Sequence, residues 1–228
     1  FETQPGDETV MTISGSLFLR KPVKLLGLAP FSSMFWFGEN THPKPLDFRP
    51  EVHDSDGLLI EQNFGPTIWR PLDNGKEMRQ SVFNVDSLKG FGLMERDRAF
   101  SHFEDLEARY EKRVSVWVEP QEGFGKGALH LIELATGEET WDNVVVMWQP
   151  DRLPTAADPL RFSYKLHWMG EHEHALAKVT ATHYGEAIAT PDNPNDFLWV
   201  VDFTKGKVPE GAATDWTPSL NLNVPANV

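Results

Sequence analysis

The sequence predicts an all-β protein. Three observations carry that prediction. Short segments of alternating apolar and polar residues recur along the chain, separated by Gly, Pro, Asn and Asp. Only one segment, 103–113, has apolar spacing that suits a helical turn. The strand-like segments are not interleaved with helical ones, so the rhythm of a parallel βαβ protein is missing.

Taken in order, residues 8–20, ETVMTISGSLFLR, alternate in part and read as a strand. Residues 23–38 are apolar but broken by Gly, Pro and Ser, which predicts a buried strand pair or a strand and a turn. Residues 42–57 hold three prolines and many turn formers and read as a long loop. LLIEQ and TIWRPL flank the turn NFGP, a hairpin signal. QSVFNV and GFGLME follow as short strands. FEDLEARYEKR (103–113) fits either a short helix or a loop, with Phe103, Leu106 and Tyr110 at i, i+3 and i+7. Residues 114–120, 127–135 and 143–150 are strands.

DRLPTAADP (151–159) is the best linker in the chain. Residues 160–170, 175–185 and 197–206 then alternate as the strands of a small sandwich do. The stretch from 160 onward is shorter than the roughly 100 residues of an immunoglobulin-like sandwich, so that unit is expected to be incomplete. The opening FETQPGDETV has neither an initiator Met nor a signal-peptide pattern, which predicts a processed or truncated piece.

Composition narrows the function. The 228 residues carry a formal net charge of −13. A nucleic-acid partner is therefore not expected, because phosphate binding rests on Lys and Arg. An anionic membrane surface is disfavoured for the same reason. No run of about 18 apolar residues marks a transmembrane helix. The absence of Cys excludes disulfides, thiolate metal sites and Cys nucleophiles. Eight Trp and 15 Phe are many for this length, and neutral ligands such as sugars remain open.

Two constellations suit such ligands. EVHDSDG (51–57) and FEDLE (103–107) are rich in carboxylates, and glycoside hydrolysis needs two of them, a proton donor and a base or nucleophile. Glu104 and Asp105 are adjacent, so only one can face a site. The aromatic residues Phe35, Trp36, Phe37, Trp69, Phe103, Tyr110 and Trp117 offer flat faces for sugar rings, although most rings in proteins fill cores. Trp69 stands near a strand end beside Arg70 and suits a cleft, whereas Trp117 and Trp148 lie mid-strand. GEHEH (170–174) places His172 and His174 on one face if extended, and with Glu171 or Glu173 they form a weak zinc pattern for which a polar turn is the commoner outcome. No metalloprotease, P-loop, esterase or dinucleotide motif is present, and neither a cofactor nor a metal is expected.

At RPEVHDSDGL (49–58), IWRPL (68–72), 89–120 and 125–150 the chain resembles the periplasmic osmoregulated-glucan biosynthesis proteins, types G and D. APFSSMFWFGEN (29–40) and FLWVVDFTKG (197–206) fit as well. The resemblance implies a large β-sandwich of the sugar-enzyme type, joined by a linker to a smaller immunoglobulin-like domain. Residues 1–150 then correspond to the later half of the large domain, 151–159 to the linker, and 160–228 to the small domain. A second polypeptide carrying the missing half is an expected partner if the chain is not simply clipped.

The resemblance further implies a periplasmic location, after removal of a signal peptide, and a β-1,2-linked glucan as substrate. Some members cleave that glucan internally with inversion. It suggests Asp105 as general acid. In related sequences an acidic residue tends to follow LR in the stretch aligned with LFLRKPV (17–23), where this chain has Lys21. Asp54, or Asp56, can substitute as base by residue type alone. Trp36, Asp56, Trp69, Arg70, Glu104 and Tyr110 are the expected sugar-binding residues. Inverting endo-hydrolysis is one reading. A non-catalytic glucan-binding or scaffolding protein is the other, and contact with a membrane glucosyltransferase is a third role.

Overall fold

The structure is a computed structural model that describes residues 1–41, 45–171, 179–186 and 197–203. The strands are β1 (Glu2–Gln4), β2 (Thr9–Leu17), β3 (Leu28–Ser33), β4 (Phe35–Phe37), β5 (Val52–His53), β6 (Gly57–Gln62), β7 (Ile68–Pro71) and β8 (Arg79–Val85). They continue with β9 (Leu88–Met94), β10 (Ser115–Glu122), β11 (Gly127–Glu133), β12 (Val144–Pro150), β13 (Leu160–Met169), β14 (Val179–Glu186) and β15 (Phe197–Phe203). A single helical turn, α1 (Phe100–Phe103), precedes a 3-10 turn at Tyr110–Lys112.

A seven-stranded antiparallel sheet, in the order β1-β2-β13-β10-β9-β6-β7, packs on a four-stranded sheet, β3-β12-β11-β8. Alternation puts one face of each strand inward. Leu58, Ile60, Phe91, Leu93 and Val118 of the large sheet meet Leu129, Leu131, Val144, Val146 and Trp148 of the small one. Trp148 is therefore a core residue, as its mid-strand position predicts. Trp117 lies on the opposite face of the large sheet, buried with Leu59, Met94 and Met169, and Trp69 packs against that cluster. The Trp117 indole needs the bare backbone of Gly90: a Cβ there would stand 2.1 Å from the ring.

The predicted β6–β7 hairpin forms, with Gly65 in its turn at φ 132°. The strand at 160–169, expected in the second unit, is instead a central strand of the large sheet. β13 pairs with β10 from Ser115↔Met169 onward and with β2 along nine residues. Segment 151–159 therefore connects one sheet of the sandwich to the other. Alternation signals a half-buried strand but carries nothing about which neighbours it takes. β14 and β15 form a separate two-stranded sheet. The proposed zinc residues His172 and His174, and the segment beyond 203, lie outside the described residues.

Register explains where a site can form. Gly57 pairs with both Pro71 and Met94, Ser115 with Met169, Arg79 with Glu133, and Val144 with Ser33. The connections at 34–56, 72–78, 95–114 and 134–143 therefore all leave the same end of the sandwich.

Candidate functional site

Arg49 organises the first cluster at that end. Its Nη2 and Nε donate to Asp47 at 2.9 and 3.0 Å, and its Nη1 donates to Asp105 Oδ2 at 2.8 Å and to Glu139 Oε2 at 2.5 Å. The guanidinium carbon lies 5.9 Å from the centroid of the Trp36 ring. Tyr110 Oη donates to the same Glu139 oxygen at 3.2 Å, and burial together with that carboxylate pushes the phenol pKa up.

The turn after α1 fixes Asp105. Glu104 caps the helix in the left-handed conformation, φ 53°, and faces solvent. The next side chain then turns inward, and Asp105 is buried. Its Oδ1 accepts from the backbone N–H of Glu107 at 2.9 Å and of Ala108 at 2.8 Å. Those amides, Ala108 foremost, and Arg49 hold the carboxyl below its usual range although burial opposes them. A general acid requires the reverse, a pKa raised toward the working pH.

Asp54, between β5 and β6, has the contrasting environment. Burial raises its pKa, and Arg113 Nε, 3.2 Å from Oδ1, only partly offsets this. The Arg113 guanidinium also lies 5.3 Å from the Tyr110 ring centroid. A chain of contacts thus runs from Asp54 through Arg113, Tyr110, Glu139 and Arg49 to Asp105.

A second cluster lies deeper. The fully buried His53 meets Glu95 Oε2 through Nδ1 at 2.8 Å and Glu51 Oε2 through Nε2 at 3.1 Å. Burial opposes its charge, but the two carboxylates raise its pKa well above the usual value and so favour the imidazolium. Arg96 pairs with Asp56 and, at 3.3 Å, with Glu39, and it lies 5.4 Å from the Trp69 ring centroid. Asp56 is 5% exposed, and burial above all pushes its pKa well up. His102 Nδ1 stands 3.2 Å from Glu51 and 3.3 Å from Asp97.

Three sets here bring ligand atoms within 4.8 Å of one another: Glu39, Glu51 and His102; Glu51, His53 and Asp97; and Asp56, Glu95 and Asp97. Among the described residues, these are the groups able to hold a cation. Each set already contains a carboxylate paired with Arg96 or His53.

The expected site residues therefore separate. Trp36, Asp54, Asp105 and Tyr110 share one network. Asp56 and Trp69 belong to the buried cluster rather than to an open cleft: Asp56 is closed in by Arg96, and the Trp69 ring is packed on Gly57, where a Cβ would stand 2.1 Å away. Arg70 lies apart and pairs with Glu133 at 3.2 Å. Glu104 is on the surface, and so is Lys21. Of the arginines in 96–113, Arg96, Arg109 and Arg113 pair with acids, whereas Arg98 donates to the carbonyls of Glu95, Arg113 and Gly170. Sequence reasoning missed Arg49 and Glu139, which meet only in the fold. It also missed Trp141, 64% exposed in the β11–β12 loop, for which a Trp set among polar residues was the available signal.

Fold and site together define an antiparallel β-sandwich protein with a network of acids, arginines and aromatic rings among the loops at one end. The family model for the periplasmic glucan biosynthesis protein MdoG matches residues 1–227, and this chain belongs to that family. It is 42% identical over 240 residues to glucans biosynthesis protein D 1 of Ralstonia nicotianae, covering 98% of this chain and 45% of that protein. It is 41% identical over 224 residues to glucans biosynthesis protein G of Pseudomonas putida, covering 92% and 40%. Against glucans biosynthesis protein G of Pseudomonas aeruginosa the identity is 47% over 174 residues, covering 76% and 33%. The chain spans less than half the length of these curated relatives.

Proposed function

We infer that this chain acts in the periplasm on the β-1,2-linked backbone of a glucan, and that it cleaves that backbone internally with inversion. The observation that carries this reading is the contrast between Asp54 and Asp105. Both lie on one network, but burial lifts one carboxyl toward its protonated form while backbone amides and Arg49 keep the other ionised. Two carboxyls whose environments separate their pKa values have the division of labour that acid–base hydrolysis uses.

The roles are the reverse of those expected from the resemblance. Asp54 gives its proton to the glycosidic oxygen as the bond from that oxygen to C1 breaks. A water attacks C1 from the opposite face and loses a proton to Asp105. Asp54 is left ionised and Asp105 protonated, and exchange with solvent resets both. Trp36 borders the network and offers a ring face to the sugar, and Arg49 keeps Asp105 charged. Tyr110 is 4% exposed and packs with Phe37, Val52 and Phe103, so it supports the network from the core through its hydroxyl on Glu139 rather than meeting sugar.

Lys21 favours a second reading, a glucan-binding protein without cleavage that guides the backbone during synthesis. Incubating the chain with linear β-1,2-glucan separates the two. Shorter oligosaccharides that disappear with Asp54→Asn and with Asp105→Asn support hydrolysis. Binding without products supports the scaffold. Absence of both binding and cleavage contradicts either reading.

A further inference from the structure

We propose a second saccharide-binding subsite, separate from the Asp54–Asp105 network, in the cleft between the β14–β15 hairpin and the β7 edge of the sandwich. The cleft holds about 390 Å³ and is lined by Asn40, Arg70, Asp73, Arg79, Tyr184 and Trp199. The inference rests on the reading that the chain binds glucan, and it assigns a distal segment of the same polymer to this place.

Two features select the ligand. The first is charge. Arg79 pairs with Glu133 at 2.9 Å and with Asp73 at 3.1 Å, and Arg70 shares Glu133 at 3.2 Å. Two cations thus meet two carboxylates, so the wall is dense in hydrogen-bonding groups but has no surplus charge. It suits a neutral, hydroxyl-rich ligand better than an anion, which would have to displace Glu133 from both arginines. The second is shape. Trp199 is 56% exposed, and its ring centroid stands 4.7 Å from that of Tyr184 at an interplanar angle of 46°. An exposed indole braced by a second ring offers an apolar face to the C–H side of a pyranose, and pockets that hold small ligands begin at roughly 300 Å³.

The platform is also anchored. Thr182 of β14 donates its backbone N–H to Glu39 Oε2 at 2.8 Å, and Arg96 reaches Thr182 Oγ1 at 3.3 Å. The first contact fastens the hairpin to the loop that carries Asn40, the second to the 95–114 connection. The cleft shares no residue with the Asp54–Asp105 network, so a saccharide held there makes contacts additional to those at the reacting bond.

Calorimetric titration with linear β-1,2-glucooligosaccharides of increasing length tests the inference. Long oligosaccharides are expected to bind more tightly than short ones. Trp199→Ala should lower the affinity for the long ones roughly tenfold and leave the short ones unchanged, while Trp199→Phe should retain most of the gain. Equal affinity at every length, an unaffected Trp199→Ala protein, or equal losses for short and long ligands would overturn the subsite and leave the proposed function standing. No binding at any length would overturn both.

Discussion

Arg49 and Arg113 are equivalent in charge but act on opposite carboxyls. Arg49 helps hold Asp105 ionised, and Arg113 pulls down an Asp54 pKa that burial has raised. The reaction needs Asp105 ionised and Asp54 protonated, so the rate falls as pH drops through the lowered Asp105 value and again as pH rises through the raised Asp54 value. Arg49→Ala is expected to move the acid limb of the kcat/KM profile to higher pH. Arg113→Ala should move the alkaline limb to higher pH. Profiles of the two variants beside the parent check both, and limbs that stay in place would remove these carboxyls from the proton transfers. Part of this was legible in the sequence. Asp54, Asp105, Trp36 and Tyr110 were singled out by residue type or by resemblance. Their partners Arg49 and Glu139 lie 90 residues apart and meet only when the loops at 34–56 and 134–143 leave the same end of the sandwich.

Strands were the most readable elements, because a period of two is a strong local signal wherever one face is buried. The β6–β7 hairpin announced itself through its turn. What the local pattern lacked was partnership. β8 and β9 are consecutive in the chain yet belong to different sheets, and β13 joined the large sheet rather than a new unit. Segment 103–113 resisted for another reason: its turns are set by side chains binding backbone, as at Asp105, and these compete with helix. The Trp117 seat on Gly90 was equally hidden, since the close approach exists only once β9 and β10 pair. Gly90→Ala should overpack that seat and destabilise the protein by about 1–3 kcal/mol, measured as a lower urea midpoint with unchanged m. An unshifted midpoint would mean that the indole has another place to go.

On the scale of the whole molecule, an acidic chain buries a dense group of acids and holds it together with His53 and Arg96. Removing His53 leaves Glu51 and Glu95 buried without their shared cation. His53→Leu is expected to cost about 3–5 kcal/mol by chemical denaturation. The pH dependence has a definite sign. The folded pKa of His53 is raised well above an unfolded value of about 6.5. Its stabilisation is therefore complete below that unfolded value and is lost as pH rises through the folded one. The gap between parent and variant should be widest in mild acid and narrow in strong alkali; a gap that widens with pH would contradict a charged ring.

The same loop end that carries this cluster carries the Asp54–Asp105 network, and the chemistry proposed there has a direct signature. Proton NMR of freshly cleaved linear β-1,2-glucan reads the anomer of each new reducing end before it equilibrates. Attack by water opposite the leaving group yields the α anomer first, and Asp54→Asn and Asp105→Asn should each abolish it. A β anomer appearing first, or undiminished cleavage by either variant, would contradict the pairing of these two carboxyls.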